Sequence, residues 1–275
     1  NKAMMDNSVR EPGSFQNLSE SLPLSTPFSL LIDPTNLCNF KCTFCPWGHP
    51  DLLKSVSRAH GMMEYDLFEK IVKDIKEFDK KIRKINLYKD GEPLLNEKLV
   101  QMISHLKNSN VSENISVTTN ASLLDEQKAI EIIESGLDTI RVSIEHVHDA
   151  GYQEITQKKF TYGEIRKNVE FLYREKVKRG SALKVHAKIA DSGLSASEKE
   201  KFFNDFSFCC NDKLTVAILE LEALEPTITG QQTYVCFCFA LDLPPWRRAH
   251  DSVWVHPCGS GRTPWPANPT SARLS

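Results

Sequence analysis

From Phe28 onward the chain repeats one unit, a short run rich in β-branched or aromatic residues followed by a longer stretch with helical periodicity. The strand-like runs are Phe28–Asp33, Ile85–Tyr88, Ile115–Thr119, Thr139–Glu145, Leu183–Ala190 and Leu214–Leu219. Helical stripes follow them. The first starts near Glu64 and carries Leu67, Ile71, Ile75 and Phe78, and the second carries Leu99, Met102, Ile103 and Leu106. A third opens at Asp125 and is buried through Ala129, Ile130 and Ile133. A fourth covers about 163–179 and closes at Gly180, and a fifth is entered through a capping box of Ser195 and Glu198. Strand and helix alternating in this way predict a parallel sheet with right-handed crossovers.

Strand faces choose between a doubly wound sheet and a barrel. A strand covered by helices on both sides reads almost continuously apolar. Here Ile140, Val142 and Ile144 alternate with Arg141, Ser143 and Glu145, and Leu183, Val185, Ala187 and Ile189 alternate with Lys184, His186 and Lys188. Helices must cover the apolar face, so the polar face is expected to line a lumen that holds a polar ligand. The expected fold is α/β, a partial (β/α)6 TIM-like barrel with an irregular C-terminal extension. The same alternation also fits edge strands with one wet face.

The division of the chain is read as a lead-in over 1–27, the barrel over 28–220 and an atypical extension over 221–275. The lead-in is polar and carries Pro12, Gly13, Pro23 and Pro27. After Lys213 no Lys occurs, while three of the four Trp and six of the fourteen Pro lie beyond residue 240. That ending lacks helical and strand periodicity and reads as an incomplete or altered form of a longer one. Lys and Arg (34) nearly balance Asp and Glu (36), and no basic run tracks a phosphate backbone, so neither nucleic acid nor a membrane is an expected partner. A cytoplasmic location is expected, where eight Cys point to metal or redox chemistry before disulfides.

The densest chemistry is CNFKCTFC, which places Cys38, Cys42 and Cys45 at C-x3-C-x2-C directly after the first strand. Three thiolates can converge on one centre and leave a coordination position open. Phe40, Phe44 and Trp47 interleave them and would exclude water. A zinc knuckle completed by His49 or His60, or a set of buried thiols, is the alternative.

The cysteine loop, its place after the first strand and the part-barrel organisation resemble the radical S-adenosylmethionine (SAM) enzymes, over about residues 28–220. The resemblance implies that Cys38, Cys42 and Cys45 hold a [4Fe–4S] cluster whose open iron binds SAM, and that Phe44 lies against the adenine. KDGEPLL resembles the family's Gly-Gly-Glu-Pro motif, which assigns Gly91, Glu92 and Pro93 to the methionine amino group, with Asp90 in place of the first Gly. TTNASLL resembles a Thr-Asn-Gly turn, which makes Asn120 a SAM-side contact and Ala121 a departure. Ser143 occupies a strand position where relatives contact ribose or carboxylate. His146, His148, His186 and Lys188 are read as bystanders at strand ends. The motifs all follow the carboxyl ends of successive strands, the edge where barrels assemble active sites.

Cys209, Cys210, Cys236, Cys238 and Cys258 remain. The SPASM or twitch subgroup carries auxiliary clusters after the barrel, and Cys236 and VHPCGS faintly resemble that extension. The usual Cys-rich ending is missing, so a complete auxiliary cluster is not expected, and Cys209 with Cys210 read as buried thiols. By resemblance, a flavodoxin or ferredoxin donates the electron and the radical abstracts hydrogen from a polar substrate, a peptide first and a sugar or aminocyclitol second. A zinc- or cluster-binding protein without catalysis, or a degenerate enzyme, is the rival reading.

Overall fold

A computed structural model describes residues 24–45, 47, 60–190, 193–207, 214–219 and 253–254. In chain order the elements are β1 (Ser29–Ile32), α1 (Tyr65–Ile75), β2 (Lys84–Asn86), a 3-10 turn (Pro93–Leu95), α2 (Leu99–Ser109), β3 (Ile115–Thr119), α3 (Glu126–Glu134), β4 (Thr139–Ile144), α4 (Asp149–Thr156), α5 (Tyr162–Lys178), β5 (Lys184–Ala190), α6 (Ala196–Ser207), β6 (Leu214–Leu219) and β7 (Val253–Trp254).

The sheet runs β6-β5-β4-β3-β2-β1-β7. Strands β1 to β6 pair in parallel with their sequence neighbours, and β7 joins β1 antiparallel, Leu31 opposite Trp254 and Ile32 opposite Val253. This order never reverses. A doubly wound sheet reverses its order at a switch point, whereas right-handed crossovers in one continuous direction place every helix on the same face. The opposite face is left for a lumen, as the strand alternation predicts, and the fold is the expected part-barrel.

Burial follows the alternation. On the helix side, Ile140, Val142, Val185 and Ala187 are fully buried, joined by Ile115 and Val117 of β3. Each buried Ile or Val stabilises the fold by about 1.5–3 kcal/mol. On the other face Arg141, Ser143, His186 and Lys188 are only half-buried. Register aligns them: Arg141 pairs with His186 and Ser143 with Lys188, so neighbouring strands present their polar side chains in shared layers.

The helix boundaries follow their capping chemistry. Asp125 caps α3 by accepting the Lys128 N–H at 2.7 Å. Ser195 and Glu198 form the expected box, with the Ser195 N–H donating to the Glu198 carboxylate at 2.8 Å. Gly180, at φ 64°, ends α5 as expected. Two stripes differ from expectation. Helix α1 buries Phe68 and Val72 with Ile71 and Ile75, while Leu67 and Phe78 only border the core. Helix α3 buries Ile132 where Ile130 is expected, since Ile130 is half-buried. Both shifts are rotations of roughly half a residue around the helix axis, within the width of an apolar stripe. Helix α4 and strand β7 were not anticipated.

Residues 1–23 of the lead-in, the loop containing His49, and Cys209, Cys210, Cys236, Cys238 and Cys258 lie outside the described residues, as does the expected extension apart from β7. No helix among the described residues is long and apolar enough to cross a membrane.

Candidate functional site

The loop after β1 carries the three cysteines, and its shape is set by neighbours distant in sequence. The Lys41 N–H donates to the Thr156 carbonyl and the Thr43 N–H to the Ile155 carbonyl, both at 2.9 Å, which fastens the loop to the end of α4. Phe40 is buried at 2% exposure, edge-on to Tyr152 with centroids 6.1 Å apart, and 5.5 Å from the Phe160 ring. The Cys45 N–H closes a turn onto the Cys42 carbonyl at 2.9 Å. Cys42 is buried, Cys38 and Cys45 are half-buried, and Phe44 stands 65% exposed.

The loop after β2 reaches the same place. The Glu92 N–H donates to the Leu37 carbonyl at 2.8 Å, one residue before the first cysteine. Gly91 has φ 72°, and a Cβ there would sit 2.4 Å from the Leu37 carbonyl oxygen, so only glycine lets the two backbones approach this closely. Asp90, the departure from the Gly-Gly-Glu-Pro pattern, lies 3.7 Å from Lys89 and leaves this contact intact. Pro93 begins the 3-10 turn and is buried.

The Glu92 carboxylate is turned inward. One oxygen accepts from the Thr119 hydroxyl at 2.6 Å and the Leu94 N–H at 3.0 Å, and the other accepts from the Asn120 N–H at 2.7 Å. With Glu92 2% exposed, its carboxylate joins the β2 and β3 loops. The loop's backbone is what lies nearest the cysteine segment.

The loop after β3 completes the set. The Asn120 amide donates to the Asn39 side-chain oxygen at 2.9 Å, the Asn39 amide donates to the Ser122 hydroxyl at 2.8 Å, and that hydroxyl donates to the Asn120 side-chain oxygen at 2.6 Å. Ala121 adopts φ 57°, the conformation a glycine would favour, and its carbonyl accepts from the Asn168 amide of α5 at 2.9 Å. Asn39, inside the cysteine motif, and α4 are thus the site elements missed from the sequence. An Asn between two ligand-spaced Cys was the available signal for the first.

The titratable groups of the loops act on one another. Burial pushes the Cys38 thiol up to about 11, with Glu92, Cys45 and Glu145 adding to the rise and the Phe40 N–H opposing it. Burial also raises Cys42, reinforced by Glu145, Cys38 and Cys45. Cys38 and Cys42 therefore share one low-dielectric neighbourhood with two carboxyl groups, and the protein alone keeps both thiols protonated. A cation centre would deprotonate such ligands on binding. Among the described residues, no group of three or more His, Cys, Asp or Glu side chains is arranged to hold a single metal ion. A multi-iron cluster differs in that each thiolate ligates its own iron. The donor set fits that group: three thiols on one pinned loop beside a half-open mouth.

Below the mouth the lumen face is cationic. Burial lowers His186, then Arg141, Lys184 and Lys84 lower it further; Lys84 is lowered by burial and Arg141. Lys188 is lowered by burial and by Arg141 while Glu145 draws it back up. Glu145 is itself pushed to about 7 by burial, partly offset by Lys188. The Arg141 guanidinium reaches the Ser116 hydroxyl at 3.4 Å. Ser143 stands between these groups in register with Lys188. His146 faces Glu198 at 3.4 Å, and its ring is tilted toward that of His148 with centroids 5.8 Å apart. His60 packs its ring near Trp47, with centroids 5.9 Å apart.

Comparison with known proteins bears on this arrangement. The family model described as the radical SAM superfamily matches residues 32–186. A probable GTP 3',8-cyclase of Methanococcus maripaludis is 38% identical over 130 residues, 47% of this chain and 39% of that protein. The probable GTP 3',8-cyclase of Methanococcus vannielii is 29% identical over 206 residues, 73% of this chain and 60% of the relative. The chain therefore spans between 39% and 60% of the length of these curated relatives. Among solved structures, Streptococcus suis SuiB bound to S-adenosylmethionine aligns with a TM-score of 0.55 at 17% identity, covering 73% of this chain and 41% of that one. Native anSMEcpe with bound AdoMet aligns with a TM-score of 0.51 at 20% identity, covering 70% and 52%. At these identities the structural likeness is one of fold. The family match spans more than half of the sequence and includes all three loops. The chain belongs to the radical SAM superfamily, whose cofactors are a [4Fe–4S] cluster and S-adenosylmethionine.

Proposed function

We propose that Cys38, Cys42 and Cys45 hold the cluster, that the loops around them bind SAM, and that hydrogen is abstracted from an anionic substrate in the lumen. The observation that carries this reading is the hydrogen-bonded meeting of three loops at one sheet edge, through Leu37, Asn39, Glu92 and Asn120. When bound and reduced, the cluster supplies the electron that splits SAM into methionine and a 5′-deoxyadenosyl radical. The electron comes from an external low-potential donor of the flavodoxin or ferredoxin class.

The chain's own residues position and exclude. Gly91 offers its backbone carbonyl to the methionine ammonium, and Glu92 fixes the loop around it through its inward carboxylate and its carbonyl, which accepts the Leu95 N–H, with Pro93 stiffening the turn. Phe44 presents an exposed aromatic face for the adenine. Asn120 and Ser143 flank the remaining polar groups of SAM. Phe40 and the buried side of the loop keep water from the cluster.

Lys84, Arg141 and Lys188 make the lumen a receptor for negative charge, and His186, lowered by burial and by the cations around it, adds a neutral hydrogen-bonding ring. The curated relatives are GTP 3',8-cyclases by name, and a purine nucleoside triphosphate matches a cationic floor better than the peptide or sugar substrates expected from sequence. A nucleoside triphosphate is therefore the proposed substrate class. The test is anaerobic reconstitution followed by dithionite reduction. A brown protein that cleaves SAM, with cleavage stimulated by GTP and not by a neutral peptide, supports the reading. A colourless protein retaining one zinc would support the non-catalytic alternative, and SAM cleavage with no nucleotide consumed would support the degenerate one. Cys42→Ala is expected to lose iron and SAM cleavage together, and survival of both would overturn the ligand assignment.

A further inference from the structure

Helix α4 is peculiar in what it buries. Its two buried residues are Tyr152 and Thr156, one turn apart on the same face, and both end in hydroxyl groups. Both hydroxyl oxygens are buried without a hydrogen-bond partner. Leaving a buried hydroxyl unpaired costs about 1–3 kcal/mol, and such groups in native proteins nearly always have a partner. The ring of Tyr152 is fully accounted for by its edge-on contact with Phe40. A phenylalanine would fill the same space without the penalty, so the hydroxyl calls for an acceptor.

The place of α4 says which acceptor. The backbone of the cysteine loop is hydrogen-bonded to Ile155 and Thr156, so Tyr152 lies one turn back along the helix on which that loop is hung. The charged and titratable groups that face the Tyr152 phenol are Glu145, Cys42 and Glu92, and together with burial they hold its acidity well below that of an ordinary tyrosine. A phenol in that setting stays protonated, and a protonated phenol is a hydrogen-bond donor.

We propose that the Tyr152 hydroxyl donates a hydrogen bond to a sulfur of the cluster on the Cys38, Cys42 and Cys45 loop, and so sets its reduction potential. The inference rests on the ligand assignment made above. Reduction adds negative charge to the cluster sulfurs, and a donor aimed at one of them stabilises the reduced form more than the oxidised one. Tyr152 is on this account a positioning residue that tunes the electron, with no bond made or broken by its own oxygen.

The experiment uses the full-length, anaerobically reconstituted protein. Iron content and visible absorbance first establish that wild type carries the cluster; their absence would strike the ligand assignment and leave the Tyr152 question to be asked of another acceptor. With the cluster present, Tyr152→Phe should shift the midpoint potential, read by dye-mediated titration, to a more negative value at unchanged iron content. Proton ENDOR of the reduced wild-type cluster in H2O and D2O should show an exchangeable coupling that Tyr152→Phe lacks. A variant with its iron intact, an unshifted potential and the same coupling overturns the proposal. Should the variant fail to keep its cluster, the wild-type spectrum alone decides, because absence of any exchangeable proton coupled to the reduced cluster rules out the donor.

Discussion

Glu92 shows how one side chain can be read correctly as a site residue and still hold an unexpected post. Its sequence context points to an ammonium ligand, yet its oxygens are filled by Thr119, Leu94 and Asn120. Burial pushes its carboxyl up to about 7, against the Asn120 N–H, the Thr119 hydroxyl and the Leu94 N–H, so desolvation outweighs three donors. A raised carboxyl pKa means that the folded chain keeps a proton which the unfolded chain has released. Stability therefore falls as pH rises from the ordinary carboxylate value of 4.5 to about 7, and is level above that. The slope from one such group is at most about 1.4 kcal/mol per pH unit. Glu145, also pushed to about 7, adds a second contribution of the same sign. Urea denaturation of the metal-free chain is expected to give a lower midpoint at pH 7.5 than at pH 5. Glu92→Gln should remove about half of that slope while lowering stability at pH 5 by about 1–3 kcal/mol, because an amide nitrogen faces a donor it cannot accept from. An unchanged slope in the variant would show that Glu92 is ionised throughout.

At the scale of elements, the strands and the long helices were legible because each carries its own period. Strands β3 and β6 match the sequence expectation residue for residue, and the buried face of α2 is the predicted Leu99, Met102, Ile103 and Leu106. Helix α4 was invisible for a physical reason. Eight residues with two buried positions, both hydroxyl-bearing, make no apolar stripe, and the helix holds the cysteine loop through a pair of backbone carbonyls that no side chain announces. The link from Asn39 to Asn120 is hidden in the same way, since 81 residues separate two ordinary asparagines. Helix α4 also ends awkwardly. Gln157 caps it in the left-handed conformation at φ 54° and is exposed, with its amide bonded to the Glu154 carbonyl at 2.6 Å. Gln157→Gly removes the Cβ strain at a position where glycine is preferred, and should stabilise the chain by about 0.5–1 kcal/mol after the lost amide bond is counted. Thermal unfolding at fixed pH measures it, and a fall in midpoint would mean that the amide contact outweighs the backbone term.

The whole molecule separates two kinds of chemistry along its sheet. Loops at the carboxyl edge gather sulfur, carboxyl and amide groups, whereas the lumen face beneath them gathers Lys84, Arg141, His186 and Lys188. Monotonic strand order makes this separation possible, because only an uncovered face can present such side chains to a ligand. From the sequence the lumen was legible as polar but not as cationic: Lys84 lies in the second strand and Arg141 in the fourth, and only the sheet brings them within electrostatic reach of each other. The arrangement predicts that the two regions fail independently. Arg141→Gln removes a charge that acts on Lys84, His186 and Lys188 and keeps a hydrogen-bonding side chain in the lumen. Losing one charge-assisted contact of about 1.5–3 kcal/mol weakens nucleotide binding by roughly 10–100-fold. The dependence of binding on salt should become shallower as well, since a fixed positive charge is gone. SAM cleavage in the absence of nucleotide should stay near the wild-type rate, because no sulfur or loop contact at the mouth depends on Arg141. Equilibrium binding of GTP at two salt concentrations, set beside nucleotide-free SAM cleavage, tests both halves together. Equal losses in binding and in basal cleavage would mean that the lumen charges support the fold of the mouth, and would take the anionic substrate away from this face.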